Sequence, residues 1–216
     1  MVLAIGLVIL LVALGGASMY MLTNGGQSNT IRIACVGDSL TGGTYYPDDL
    51  WMLLGSNYTL RNFGVGGTTA SLDSLSPYMN HSEFYKAKQF KPNIVILMFG
   101  TNDANDILTP DNRSFVSSYV RMVEEFQALS SKPQIWLVKP PPIFCNGTAP
   151  SAETLQTLIL PEIEQVAQQT HVSIIDVNSA LASSGVFFPD GIHPDSQGSQ
   201  LIADEIYRAI GSSLTP

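Results

Sequence analysis

Residues 31–44 read IRIACVGDSLTGGT, and the change of pattern inside this stretch decides the fold. Residues 31–36 form a short run dominated by apolar side chains, as in a strand buried within a sheet. Gly37 and Asp38 break the run, and Ser39 opens a helical segment. A buried strand that turns into a helix is the first half of a βαβ unit, and such units build parallel sheets.

The same alternation continues outward from this stretch. Four further apolar runs bounded by turn residues read as strands, at 58–63, 93–99, 134–138 and 172–177. Helical periodicity marks 48–54, 82–90, 113–129 and 152–169, and a last helix runs near 196–210. The pattern predicts an α/β protein, a three-layer α/β/α sandwich on a five-stranded parallel sheet. Ligands of such open sheets bind beyond the carboxyl ends of the strands, which is where the polar motifs of this chain are concentrated.

The chain has 216 residues and a formal charge of -8, with a sequence pI near 4.6. Its length suits one domain with a full hydrophobic core once an apolar start and a linker are set aside. The charge repels polyanions on average, nucleic acid and an anionic membrane surface alike, so no nucleic-acid partner is expected and neutral or cationic substrates fit better. Cys35 and Cys145 lie far apart, without the spacing of a structural zinc site. Cys35 reads as a small buried hydrophobe, and pairing of the two is open.

Residues 1–22 carry no charged side chain. As a helix they span roughly 33 Å, enough to cross a bilayer core of about 30 Å. The small residues Gly15, Gly16, Ala17 and Ser18 fit a cleaved signal peptide as well. Residues 23–30 (TNGGQSNT) read as a linker, which leaves 31–216 as the domain. Both readings of the start imply a secreted or extracellular protein, with membrane contact only through residues 1–22 if they are retained. Sequons beginning at Asn57, Asn80, Asn112 and Asn146 agree with an exported surface.

Gly37-Asp38-Ser39-Leu40 ends the first strand, Asn62-Phe63-Gly64-Val65-Gly66-Gly67-Thr68 the second and Gly100-Thr101-Asn102-Asp103 the third. A late loop reads Asp190-Gly191-Ile192-His193-Pro194. A serine hydroxyl is a poor nucleophile until an imidazole takes its proton, and that imidazole needs an acceptor on its other nitrogen. Asp190, three residues before His193, can fold its carboxylate back onto the ring; Asp195 is the next acceptor to consider. His81 lies inside a sequon and His171 at a helix-to-strand joint, which leaves His193 as the base.

In this chain order, Ser, Gly, Asn and His, the four blocks resemble the SGNH hydrolases, also called GDSL esterases. The resemblance covers the chain after the linker. A GDS triplet alone arises by chance in about one chain in twenty of this length, but the pieces together in fewer than about one in a thousand. The resemblance implies a flavodoxin-like SGNH fold and ester hydrolysis without metal or organic cofactor. It further implies Ser39 as nucleophile, His193 as base and Asp190 as its partner. An oxyanion hole is implied at the backbone N–H of Ser39, the backbone N–H of Gly67 and the side-chain amide of Asn102. These residue types suit an anion-binding role, since Gly67 lacks a side chain that would block a carbonyl, and Asn102 can donate where an Asp only accepts. Gly64 and Gly66 read as tight turns.

Two glycine patterns mislead. Residues 37–44 (GDSLTGGT) approach a P-loop, but Gly43 stands where its lysine belongs. Gly64 to Gly67 lacks the third glycine of a dinucleotide fingerprint and follows the wrong strand. As for substrate, residues 44–54 (TYYPDDLWMLL) and the loop Lys139-Pro140-Pro141-Pro142 resemble SGNH members regarded as carbohydrate O-acetylesterases. Tyr45, Tyr46, Trp51 and Phe144 are candidates to stack on sugar faces, but aromatics at such positions are more often core or pocket wall. Residues 140–151 read as the only substantial flap, which favours small acyl groups over a lidded lipase site. Thioesterase, arylesterase and lysophospholipase activities use the same machinery, and a non-catalytic carbohydrate-binding module is the rival from another class.

Overall fold

The computed structural model describes residues 30–105, 114–145 and 150–211. The apolar start, the linker before Thr30 and the sequons at Asn112 and Asn146 lie outside the described residues. Within them, no helix is long and apolar enough to cross a membrane. Asn57 and Asn80 are both exposed.

Five strands form one sheet: β1 (Ile31–Gly37), β2 (Tyr58–Asn62), β3 (Ile94–Met98), β4 (Gln134–Lys139) and β5 (Ser173–Asp176). They lie in the order β2-β1-β3-β4-β5, and every neighbouring pair is parallel. The central strands are hydrophobic on both faces because both faces are covered. Ala34, Val36, Val95, Leu97, Ile135 and Leu137 point into one core and Ile33, Cys35, Ile94, Ile96, Trp136 and Val138 into the other. The three-layer sandwich expected from the sequence is therefore the fold observed.

The helices are α1 (Ser39–Gly42), α2 (Tyr46–Leu54), α3 (Ser82–Gln89), α4 (Phe115–Gln127), α5 (Ala152–Thr154), α6 (Leu160–Thr170), α7 (Val177–Ala180) and α8 (Ser196–Gly211). On α4 the buried residues Phe115, Tyr119, Met122, Val123 and Phe126 recur at helical spacing and seal the first core together with α3 and α6. Leu50 of α2 and Ile202, Ala203, Ile206 and Ile210 of α8 seal the second. Helix α2 starts two residues before the predicted boundary, because Pro47 has a φ suited to a first turn and no N–H to waste there.

The single helix expected over 152–169 is interrupted by a π-helical turn at Leu155–Ile159. Pro161 follows it and has no N–H to give back one turn, so the chain widens before α6 resumes. The strand order reverses at β1, with β2 on one side and β3 on the other. The crevice at the carboxyl ends of β1 and β3 is the natural ligand site of this order, and Ser39 and Asn102 both follow those ends.

Candidate active site

Ser39 sits at the first residue of α1, immediately after β1. Asp38 caps that turn, its Oδ1 accepting the Leu40 N–H at 2.8 Å, so the chain reverses sharply and leaves Ser39 half-buried at the rim. From the far end of the sequence, Phe188–Pro194 brings His193 to the same place: Ser39 Oγ lies 2.9 Å from His193 Nε2. On the other side of the ring, His193 Nδ1 lies 2.7 Å from Asp190 Oδ2. The second Asp190 oxygen accepts the backbone N–H groups of Ile192 at 2.9 Å and His193 at 2.7 Å.

Burial disfavours the Asp190 carboxylate, but the His193 ring, the two N–H donors and the charge of His193 outweigh it and hold its pKa down at about 2. An ionised Asp190 can only accept, so in the neutral ring the proton lies on Nδ1 and Nε2 is free to accept from the Ser39 hydroxyl. Asp195 does something else. Its Oδ1 caps α8 by accepting from Gln197 and Gly198, each at 2.9 Å.

The third group comes from the ends of β2 and β3. Asn102 Nδ2 donates to the Thr68 carbonyl at 2.9 Å, which sets the amide beside the Gly66–Thr68 turn. A Cβ added to Gly66 would stand 3.7 Å from the Ser39 Cβ, so this turn borders the serine. Gly67 has φ 75°, a conformation that favours glycine, and the space around its missing side chain is open. Gly64 differs from its reading as a tight turn. A Cβ there would fall 2.2 Å from the Gly42 backbone nitrogen, so its role is close packing of the β2 loop against α1. Asn62 fastens the same contact, its Nδ2 donating to the Thr41 carbonyl at 2.7 Å and its Oδ1 accepting the Gly64 N–H at 2.9 Å.

A model of the GDSL-like lipase/acylhydrolase family matches residues 35–201. The chain belongs to that family. An acetylxylan esterase from Xylanibacter ruminicola is similar to it, 29% identical over 214 residues that cover 85% of this chain and 44% of that protein. The chain thus spans less than half the length of that curated relative. Two solved structures share its fold. One is described as a putative arylesterase from Agrobacterium tumefaciens, with TM-score 0.68, 22% identity and coverage of 86% of this chain and 100% of that one. The other is a carbohydrate acetylesterase from Sinorhizobium meliloti, with TM-score 0.70, 18% identity and the same coverage of 86% and 100%.

Beneath the surface, this GDSL hydrolase carries two carboxyl groups that sequence reasoning did not single out. Asp103 is buried and accepts the N–H of Ala70 and Ser71, each at 3.0 Å, and the Ser71 hydroxyl at 2.8 Å. It ties the long 63–81 connection to the end of β3, next to Asn102. Burial outweighs these hydrogen bonds and pushes its pKa up to about 6. Burial also pushes Asp38 up to about 7, helped by the nearby Asp103 charge and only partly opposed by the Leu40 N–H. Both residues stand in the quoted motifs, each beside a residue of interest, and that adjacency was the available signal.

The rim aromatics divide between the two readings, most of them on the side of core or wall. Tyr46 is fully buried, its hydroxyl 3.1 Å from Thr41 Oγ1, and cannot stack on a sugar. Trp51 lies far along α2 toward the start of β2, where its Nε1 donates to the Tyr58 carbonyl at 3.2 Å, away from the strand ends that bear Ser39. Phe144 packs on Phe188, ring centroids 5.0 Å apart, and forms wall beneath the His193 loop. Tyr45, at 63% exposure just after α1, is the one of the four placed to meet a ligand at Ser39. The 140–151 segment is not the only long connection, because 63–81 is longer and folds into buried turns around Thr68–Ser71. Cys35 and Cys145 are free thiols, and burial raises that of Cys35 to about 12. Among the described residues, no group of three or more His, Cys, Asp or Glu is placed to hold a metal.

Proposed function

We propose that this GDSL hydrolase removes small acyl groups, acetyl foremost, from carbohydrate esters through a Ser39-His193-Asp190 triad. The carrying observation is the continuous relay from Ser39 Oγ through His193 to Asp190, with contacts of 2.9 and 2.7 Å. Ser39 Oγ attacks the ester carbonyl while His193 Nε2 takes its proton, and Asp190 stabilises the imidazolium. The carbonyl oxygen becomes an anion that meets the N–H of Ser39, the N–H of Gly67 and the Asn102 amide. Collapse breaks the ester bond, His193 returns the proton to the departing sugar oxygen, and an acetyl-Ser39 ester remains. Water then attacks that ester with His193 as base again, releasing acetic acid and free Ser39.

Substrate class rests on the acetylxylan esterase and carbohydrate acetylesterase among the similar proteins. It also rests on access: the side chains of His193 and Asp190 are 44% and 55% exposed, so a bulky polymeric alcohol can approach while the acyl group stays small. Ser39→Ala, assayed on a chromogenic acetyl ester, is expected to abolish turnover with the melting temperature unchanged. Full retained activity ends the proposal. A fluorophosphonate probe is expected to label Ser39, which a pure carbohydrate-binding module would not permit. On a panel of acetyl, butyryl and octanoyl esters beside acetylated xylan, acetyl substrates are expected to lead. Preference for long chains removes the substrate assignment and leaves the serine hydrolase. The uncharged run 1–22 and the exposed Asn57 and Asn80 sequons support an extracellular location. A C-terminal tag that antibodies reach only after permeabilisation would contradict it.

A further inference from the structure

The two ends of the sheet differ in their acidic residues. At the end where connections leave the strands stand Asp38, Asp103, Asp176, Asp190 and Asp195, of which Asp38 and Asp103 are buried and Asp176 is paired with Lys139. Connections entering the strands, at 55–57, 90–93, 128–133 and 171–172, hold no Asp or Glu. What they hold instead is Lys91, Lys132 and His171, all exposed. Among the described residues these three are the non-glycine positions with positive φ, at 50°, 47° and 56°. Such backbone favours glycine, so each site keeps a long or ring side chain against its conformational preference. They precede β3, β4 and β5, adjacent strands about 4.8 Å apart, and so form a row along one edge of the sheet. Arg32 extends the row to β1, its Nε donating to the Lys91 carbonyl at 2.8 Å. Lys86, Lys88, Lys139 and Arg208 are ion-paired, whereas Arg32, Lys91 and Lys132 have no carboxylate partner among the described residues.

Apolar surface shares this end. Trp51, Met52 and Leu53, in the last turn of α2, are 48%, 64% and 37% exposed. Tyr207, in the last turn of α8, is exposed too. The polypeptide enters the sheet here, where the Ile31 N–H donates to the Asn57 carbonyl at 3.0 Å. In sequence that point follows the polar residues 23–30, a tether of at most about 28 Å when extended, and before them the uncharged run 1–22.

We propose that this edge is a membrane-facing surface, on which Arg32, Lys91 and Lys132 meet anionic phospholipid headgroups while Trp51 and Met52 enter the interfacial layer. Cations near an acidic bilayer are attracted over a Debye length, and tryptophan favours the headgroup level. The overall charge of -8 does not oppose this. At this end Glu125 is paired with Lys88 and Glu205 with Arg208, while Glu124 in the last turn of α4 is exposed; the carboxylates of the opposite edge stand a strand length away, roughly 16 Å, or about two Debye lengths at physiological salt. The Ser39 edge is then turned to solution, where a polymeric substrate can reach it.

The test uses the full chain reconstituted in phosphatidylcholine vesicles with or without phosphatidylglycerol. The second tryptophan, Trp136, is buried, so Trp51 reports contact, with Trp51→Phe as background. Brominated lipid is expected to quench Trp51 strongly only when phosphatidylglycerol is present. The double variant Lys91→Gln, Lys132→Gln is expected to lower the docked fraction on the order of 30-fold and return quenching to the neutral-lipid level. Absent quenching, equal quenching in both vesicles, or quenching indifferent to the double variant overturns the proposal. Acetyl ester turnover in the same vesicles, expected to be unchanged by the double variant, reads the proposed function separately.

Discussion

Asp190 and Asp38 stand in the two motifs that meet at Ser39, and the fold holds their carboxyl groups in opposite states. Asp190 is half-exposed and faces three donors, so ionisation is favoured and its pKa sits near 2. Asp38 is fully buried, has one N–H on Oδ1, and its Oδ2 has no hydrogen-bond partner, so its pKa is raised to about 7. Sequence position near the reacting centre therefore does not set protonation; donor count against burial does. The negative charge is kept at the rim, where His193 and solvent stabilise it. Behind the serine, where a bare charge would be costly, the carboxyl is kept close to neutral.

The sharpest way to break this comparison is Asp190→Asn. The amide can no longer hold the ring proton on Nδ1, and kcat on an acetyl ester is expected to fall by about 10³ to 10⁴. Its melting temperature is expected to change little, because an exposed pair adds little stability. A loss of less than tenfold points to another group orienting His193. Next in size, Asn102→Ala is expected to lower kcat by about 10² to 10³ through a lost oxyanion donor. A change confined to KM contradicts that role. Activity measured down to pH 5 tests the low pKa of Asp190 more gently. The stabilisation from its ionised form is present above the ordinary carboxylate range and is lost only as pH falls from about 4 through about 2. No step near pH 5 is therefore expected from this residue.

The sheet was legible because both of its faces are covered. Buried strands such as 94–98 leave an uninterrupted apolar run, and the helices between them keep a clear period, as on α4. Ser39, His193, Asp190, Gly67 and Asn102 were singled out because each belongs to a short motif at a strand end or in the late loop. Contacts made by backbone or by fold were not legible. The approach of Gly64 to Gly42 depends on how two loops meet, and a glycine in a row of glycines reads first as a turn. Tyr46 and Trp51 share one helix, and only the packing of α2 decides that the first is buried and the second lies toward the wrong end. The π turn needed the effect of Pro161 on the preceding residues, which helical periodicity alone does not register.

Asp38→Asn sharpens the comparison from its buried side, with the smallest expected effect on rate. The amide oxygen can keep the cap on the Leu40 N–H, so α1 and the Ser39 N–H stay in place and kcat is expected to remain within about tenfold. Stability is where the change should appear. A carboxyl whose pKa is raised on folding binds its proton more tightly in the native state, so native stability is greatest below the unfolded value near 4. It declines as pH rises toward the folded value of about 7. For Asp38 alone this decline is on the order of 4 kcal/mol, and the neutral amide is free of it. Urea unfolding at pH 4 and pH 8 is therefore expected to show a smaller loss of stability for Asp38→Asn than for the parent chain. Part of the slope should remain in the variant, because Asp103 is raised by the same burial and titrates through the same interval. Identical slopes in the two proteins would mean that Asp38 is ionised despite its burial. The contrast with Asp190 would then be lost, and some donor to Oδ2 other than those described would have to hold the Asp38 charge.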